Sequence, residues 1–373
     1  MGLHASALPD FPWDLLAPYQ ERARAHTDGV INLSVGTPVD PTPDLIVDAL
    51  RHAADAPGYP LTYGTTALRE AVAQWFARRR QAPGVDPAGV LPTVGSKELV
   101  ALLPAMLGLG PGDVVVHPGA AYPTYDVGAR LAGATPLPVT GVDQWRGNPA
   151  VKLVWVNSPS NPTGAVMGTD ELRDVVAAAR EVGAVVASDE CYAELAWNEP
   201  WASGVVPCIL DPQVAGASHD GLLAVYSLSK QSNMAGYRAA FVAGDPQLIA
   251  RLLELRKHAG FMVPWPVQEA LRVALGDDDH VAAQRARYGA RRQVLADALV
   301  RAGMRIDHSD AGLYLWATRD EDSWDTVGWM ADHGIVVAPG AFYGEAGRRH
   351  VRIALTASDA DIAMAAQRLV NGK

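Results

Sequence analysis

From about residue 42 to residue 259, short β-branched runs alternate with Ala- and Leu-rich amphipathic stretches, and this alternation constrains the fold more than any other feature. Strands that alternate with helices build βαβ units, which close around a largely parallel sheet. The pattern predicts strands over 114–117, 153–156, 184–188, 222–227 and 239–243, and helices over 67–80, 97–107, 169–182 and 246–258. After Pro264 it changes to one long helical segment reaching Leu299, then short strands and a final helix, which reads as a second, smaller α/β lobe. The expected division is an arm with part of the small domain over 1–40, a large domain over 41–263 and a small domain over 264–373. A length of 373 residues accommodates two such units.

A formal charge of -10 argues against a nucleic-acid partner, because such binding draws on Lys and Arg neutralising phosphates. The run Arg78-Arg79-Arg80 reads as a solvated helix end, where cations are favoured by the helix dipole. The two cysteines, Cys191 and Cys208, match no metal or redox spacing, so neither a disulfide framework nor a metal site is expected. The first residues lack a basic segment followed by an apolar one, and no apolar run reaches the ~18 residues of a membrane span. A soluble, cytoplasmic protein with no membrane partner is expected.

Ligands of open α/β sheets sit at the carboxyl ends of the strands. Three polar clusters follow expected strands: Ser158-Pro159-Ser160-Asn161-Pro162-Thr163-Gly164, Asp189-Glu190-Cys191-Tyr192, and Ser227-Leu228-Ser229-Lys230. A lysine just past a buried strand can be desolvated, which makes its amine nucleophilic toward a carbonyl. Pyridoxal phosphate supplies such a carbonyl. Ser227, Ser229 and the forked guanidinium of Arg238 suit its phosphate. Asp189 is the carboxylate needed to keep a pyridine nitrogen protonated, and Tyr192 and Asn161 are placed to reach the phenolic oxygen. Each motif also has a plain structural reading: a solvated lysine, a helix-capping aspartate, a proline-rich turn. Gly108-Leu109-Gly110-Pro111-Gly112 follows a helix and precedes a strand, the reverse of a dinucleotide loop, and reads as a connecting turn. Ser218-His219-Asp220 has the letters of a triad, but adjacent residues do not converge on one proton.

Taken together, SPSNPTG, the VVASDECY strand and SLSK with an arginine eight residues on resemble the class I/II aminotransferases of pyridoxal-phosphate fold type I, over nearly the whole chain. The resemblance implies an α/β fold with a mostly parallel central sheet in a large domain and a smaller α/β domain. It implies that Lys230 binds the cofactor as a Schiff base, that Asp189 partners the pyridine nitrogen, that Asn161 and Tyr192 contact the phenolate oxygen, and that Ser227, Ser229 and Arg238 bind phosphate. Gly95-Ser96-Lys97 opens a helix after a short strand, so its N–H groups can also receive the phosphate. Tyr122 falls where the family stacks an aromatic ring on the cofactor. Tyr59 resembles a tyrosine that reaches the neighbouring subunit's phosphate, which implies a homodimer with shared sites. Arg352 matches the arginine that grips the substrate α-carboxylate, with Gly36 offering backbone to the same group.

The wording of the motifs is most similar to that of actinobacterial N-succinyldiaminopimelate aminotransferases. This implies glutamate as donor and N-succinyl-2-amino-6-oxopimelate as acceptor, in lysine and diaminopimelate biosynthesis. The alternatives are an aspartate, alanine or aromatic aminotransferase, a β-lyase on the same fold, and a non-catalytic amino-acid sensor.

Overall fold

The computed structural model describes residues 8, 9 and 12–371. Its main sheet has seven strands in the order Val90–Val94, Ala239–Gly244, Leu222–Ser227, Val185–Asp189, Val151–Asn157, Val114–Pro118 and Thr135–Val139. Ala239–Gly244 runs antiparallel to both its neighbours, and the other pairings within the sheet are parallel. The α/β class expected from the alternation is thus the one adopted.

The central strands are covered on both faces. Every residue of Leu222–Ser227 and of Ala239–Gly244 is buried. Successive side chains leave a strand on opposite faces. Leu222, Ala224 and Tyr226 accordingly join one apolar core, while Leu223 and Val225 join the other. Thr135–Val139 is not among the expected strands, and its two prolines, Pro136 and Pro138, are the reason. Proline cannot donate to a ladder, so it disguises a strand in the sequence and is tolerated at a sheet edge. The opposite edge, Val90–Val94, also carries one, Pro92.

Local chemistry sets the helix ends. Thr65 Oγ1 accepts the Leu68 N–H at 3.1 Å and opens Thr66–Arg79. Asp245 caps Pro246–Ala259 by accepting from the Gln247 and Leu248 N–H groups, and Gly260 ends that helix in the left-handed conformation. The single helix expected from Pro264 to Leu299 is instead two, Trp265–Leu275 and Asp279–Arg301. Gly276 follows the first, and the Asp277 carboxylate accepts the His280 N–H at 3.0 Å, which starts the second. The reading of Arg78-Arg79-Arg80 as a solvated run also needs correction. Arg78 is exposed, but Arg80 is 1% exposed and ion-paired to Glu190 at 2.9 Å.

A four-stranded antiparallel sheet, in the order Ala338–Pro339, Val351–Ala354, Tyr314–Thr318 and Arg305–Ile306, has its own apolar core. Ile31–Asn32 pairs in parallel with Ile335–Val336, and the Ala354 N–H donates to the Leu33 carbonyl at 2.8 Å. These bonds tie the N-terminal segment to the C-terminal sheet and bring residues 34–36 to the carboxyl ends of the main strands. Among the described residues no helix is long and apolar enough to cross a membrane.

Candidate active site

A cavity of about 310 Å³ lies where the three polar clusters meet, at the carboxyl ends of Val151–Asn157, Val185–Asp189 and Leu222–Ser227. Gly36, Ser96, Lys97, Tyr122, Asn161, Asp189, Tyr192, Ser227, Ser229, Lys230, Arg238 and Arg352 all line it. Two expected site residues do not. Gly95 sits directly behind Arg238, and Tyr59 is 95% exposed, away from the cavity of its own chain.

Lys230 follows the strand Leu222–Ser227, and its Nζ donates to the Gly36 carbonyl. A Cβ at Gly36 would lie 2.1 Å from Tyr314 Oη, so a side chain there would force the Tyr314 ring to move. Asp189, the last residue of its strand, is 7% exposed. Its Oδ2 accepts from Tyr125 Oη at 2.9 Å and its Oδ1 from the Cys191 N–H at 3.3 Å. Burial pushes the Asp189 carboxyl above the usual carboxylate range, against the pull of these bonds.

The Ser158–Gly164 turn is fixed by Asn157, which donates from Nδ2 to the Asp189 carbonyl at 2.9 Å and accepts the Asn161 N–H at 2.7 Å. Asn161 Oδ1 in turn accepts from Arg352 Nη1 at 2.9 Å. Arg352 comes from the central part of the C-terminal sheet, on Val351–Ala354, and its Nη2 donates to the Ser34 carbonyl at 2.7 Å. Its guanidinium lies 3.9 Å from the Tyr314 ring centroid, and its Nε has no partner. The side chain is 4% exposed, and both oxygens it binds are neutral. That is a buried cation open to a carboxylate.

The far wall is built for an oxyanion. Ser227 Oγ and Ser229 Oγ lie 2.8 Å apart, and the helix Ser96–Met106 begins at the cavity. Gly95 has φ of +73°, and a Cβ there would lie 2.1 Å from Arg238 Nη2, so glycine is what admits the guanidinium. Arg238 is anchored through Nη1 to the Ala235 carbonyl at 2.9 Å. Tyr122 stands beside the cavity with its phenol pushed up to about 12 by burial, so it stays protonated at neutral pH.

Sequence reasoning missed Tyr125 and Tyr314. Tyr125 shares the Pro123-Thr124-Tyr125 helix start with Tyr122, which is a usable signal. Tyr314 has no motif; it reaches the cavity from the C-terminal sheet, with its Oη 3.3 Å from Tyr192 Oη. Burial pushes the Tyr314 phenol up, but the Arg352 and Lys230 charges and the Tyr192 hydrogen bond outweigh it, so its pKa falls below the usual tyrosine value.

A half-buried lysine, a buried carboxylate and a group of hydroxyl and guanidinium donors thus meet at one set of strand ends. The family model for aminotransferase class I and II matches residues 28–369. The chain belongs to the class I and II aminotransferases. It is 59% identical to the 4-dedimethylamino-4-oxo-anhydrotetracycline transaminase OxyQ of Streptomyces rimosus, over 97% of this chain and 99% of that one. It is 54% identical to the probable aminotransferase Rv1178 of Mycobacterium tuberculosis, over 99% and 86%. It is 35% identical to the LL-diaminopimelate aminotransferase of Aquifex aeolicus, over 95% and 94%. Among solved structures, a probable N-succinyldiaminopimelate aminotransferase from Thermus thermophilus superposes with a TM-score of 0.85 at 27% identity, over 97% and 100%.

This aminotransferase is therefore a fold type I enzyme dependent on pyridoxal phosphate, acting on small amino and keto acids. Its cavity fits that cofactor chemically: a lysine amine for the aldehyde, a buried carboxylate for the ring nitrogen, and two hydroxyls, an arginine and a helix N-terminus for the phosphate.

Proposed function

We propose that the protein moves an amino group from glutamate to a carbonyl acceptor, with Lys230 as the residue that holds the cofactor and then handles the proton. The observation that carries this reading is the joint placement of Lys230, Asp189, Asn161 and Arg352 around one cavity. When bound, pyridoxal phosphate supplies an electron sink that stabilises negative charge at the substrate α-carbon. Ser227, Ser229, Ser96 and Arg238 would hold its phosphate, Asp189 its ring nitrogen, Asn161 and Tyr192 its phenolic oxygen, and Tyr122 its ring face. Arg352 grips the substrate α-carboxylate in a charge-assisted pair and so fixes which α-carbon bond is presented for cleavage. Lys230 Nζ would take the proton from that carbon, a general-base role.

Two acceptor classes have support. N-succinyl-2-amino-6-oxopimelate, expected from the wording of the motifs, is supported by the name of the Thermus structure, while the Aquifex aeolicus relative is an LL-diaminopimelate aminotransferase and supports only the broader diaminopimelate class. A cyclic ketone is favoured by the 59% identity to the transaminase of an oxo-anhydrotetracycline. The test is to incubate cofactor-loaded enzyme with L-glutamate and each acceptor and to quantify 2-oxoglutarate. Transfer to one class and not the other assigns the acceptor. Pyruvate and ammonia released from a cysteine conjugate with no acceptor present would replace the transaminase reading by a β-lyase.

We also propose a cytoplasmic homodimer in which Tyr59 serves the partner's phosphate site. Tyr59, Leu61 and Trp265 are large side chains left 95%, 64% and 36% exposed, which a second copy would cover. The large domain is proposed to span 41–263 and the small domain 264–373, with residues 1–40 as an arm that supplies part of the small domain.

A further inference from the structure

Beside the Lys230 cavity lies a second, larger chamber of about 900 Å³, and the two share Trp13, Lys97, Tyr122 and Arg352 as common walls. The Lys230 cavity is small and mixed in character. The chamber is built differently: Trp13, Leu15, Trp324, Phe342 and Pro138 are prominent in its lining. Phe342 meets Trp13 edge-on at 5.3 Å and Trp324 at 5.5 Å between ring centroids, which makes a rigid aromatic wall. Leu15 is left 54% exposed. The chamber size falls within the roughly 300–1,000 Å³ of sites that enclose drug-sized ligands.

The acidic side chains of the chamber are already paired, Asp126 with Arg130 and Glu345 with Arg348. Asp126 and Glu345 line it together with Lys97, His117 and the shared Arg352. His117 is 7% exposed and held below its ordinary pKa by burial, so it is neutral at pH 7. Two residues of the wall carry buried polar atoms with no hydrogen-bond partner, His117 Nε2 and Tyr343 Oη. Tyr343 Oη can donate to a ligand oxygen, whereas neutral His117, whose Nδ1–H donates to the Pro118 carbonyl, offers Nε2 as an acceptor for a ligand hydroxyl.

We propose that the active site has two compartments, the Lys230 cavity for the amino donor and the reacting carbonyl, and this chamber for the apolar, ring-containing body of a bulky ketone acceptor. The proposal rests on the aminotransferase reading and separates its two acceptor classes in favour of the cyclic ketone. Leu15 and Phe342 are its specificity-determining residues.

The probe is 2-tetralone, compared with 2-oxoglutarate, each taking the amino group in a half-reaction from enzyme loaded with pyridoxamine phosphate and followed by the return of the pyridoxal absorbance. Leu15→Asp and Phe342→Ser are each expected to lower the ratio of kcat/KM for 2-tetralone to that for 2-oxoglutarate about tenfold, the scale of a changed contact in an apolar pocket. Binding of 2-tetralone, read by quenching of tryptophan fluorescence beside Trp13 and Trp324, is expected to weaken in parallel. A ratio that holds while both activities fall would leave these residues a structural role and overturn the proposal. So would a shift in dimer dissociation by Leu15→Asp with the ratio unchanged, since the chamber would then be covered by a second copy. If glutamate converted no acceptor at all, the glutamate-donor reading would fail, and the fluorescence titration would still decide whether the chamber binds the ketone.

Discussion

Arg80 and Arg352 are both buried, at 1% and 4% exposed, yet they are held in opposite ways. Arg80, behind the main sheet, pairs with the Glu190 carboxylate at 2.9 Å and donates to the Val206 carbonyl. Burial works against its charge, but Glu190 outweighs it and raises its pKa. Arg352, at the cavity, binds only the neutral oxygens of Asn161 and Ser34 and lies over aromatic rings. Lys230, half-buried, likewise has a neutral hydrogen-bond partner, the Gly36 carbonyl. A buried cation whose counter-charge is built in is part of the scaffold, while one left on neutral oxygens is kept for an anion or a carbonyl that arrives.

The strongest challenge to this contrast is Lys230→Ala. Turnover of glutamate should fall by about 10⁴-fold or more, measured as 2-oxoglutarate formed, because cofactor attachment and proton transfer are lost together. Parental turnover would remove Lys230 from the chemistry. Next come the two arginines. Arg352→Gln should lower kcat/KM for glutamate about 10²-fold or more, mostly through KM, while its urea unfolding midpoint stays level or rises. Arg80→Gln should do the reverse, costing about 3–5 kcal/mol of stability by stranding Glu190. Equal loss of stability in both variants would erase the distinction between scaffold and site.

A smaller effect is expected for Tyr125→Phe. Tyr125 donates to Asp189 Oδ2 and so favours the ionised carboxylate. Without that donor the protonated form gains, the Asp189 pKa rises further, and the acid limb of the kcat/KM profile should move to higher pH by about 0.5 to 1 unit. A limb that moves to lower pH would mean that Asp189 is not the group titrating. Smallest is the expected return of activity when Lys230→Ala and Tyr59→Ala proteins are mixed, at most about a quarter of the parental rate, since a hybrid dimer with shared sites holds one intact site. No recovery would place Tyr59 outside the partner's site.

The legible part of this molecule is the part carried by strand ends. Asp189, Asn161 and Lys230 stand where short buried runs give way to polar clusters, and a sheet rule then places them together. Thr135–Val139 is hidden because its prolines remove the strand signal while an edge position tolerates them. The break at Gly276 is hidden because both flanking segments keep helical periodicity, and only the Asp277 bond to His280 marks the restart. Tyr314 and Trp13 cannot be found locally at all. They reach the cavity through the pairing of the N-terminal segment and the C-terminal sheet, a contact between distant stretches of chain.

The central claim concerns one atom, Lys230 Nζ, and one measurement addresses it directly. The cofactor-loaded enzyme is reduced with borohydride, digested, and its peptides are sequenced by mass spectrometry. The account predicts a phosphopyridoxyl group on the peptide containing Ser229-Lys230-Gln231, and its loss when glutamate is added before reduction. Attachment at Lys97, the other lysine of the cavity, or an adduct on Lys230 that glutamate does not displace, would contradict it.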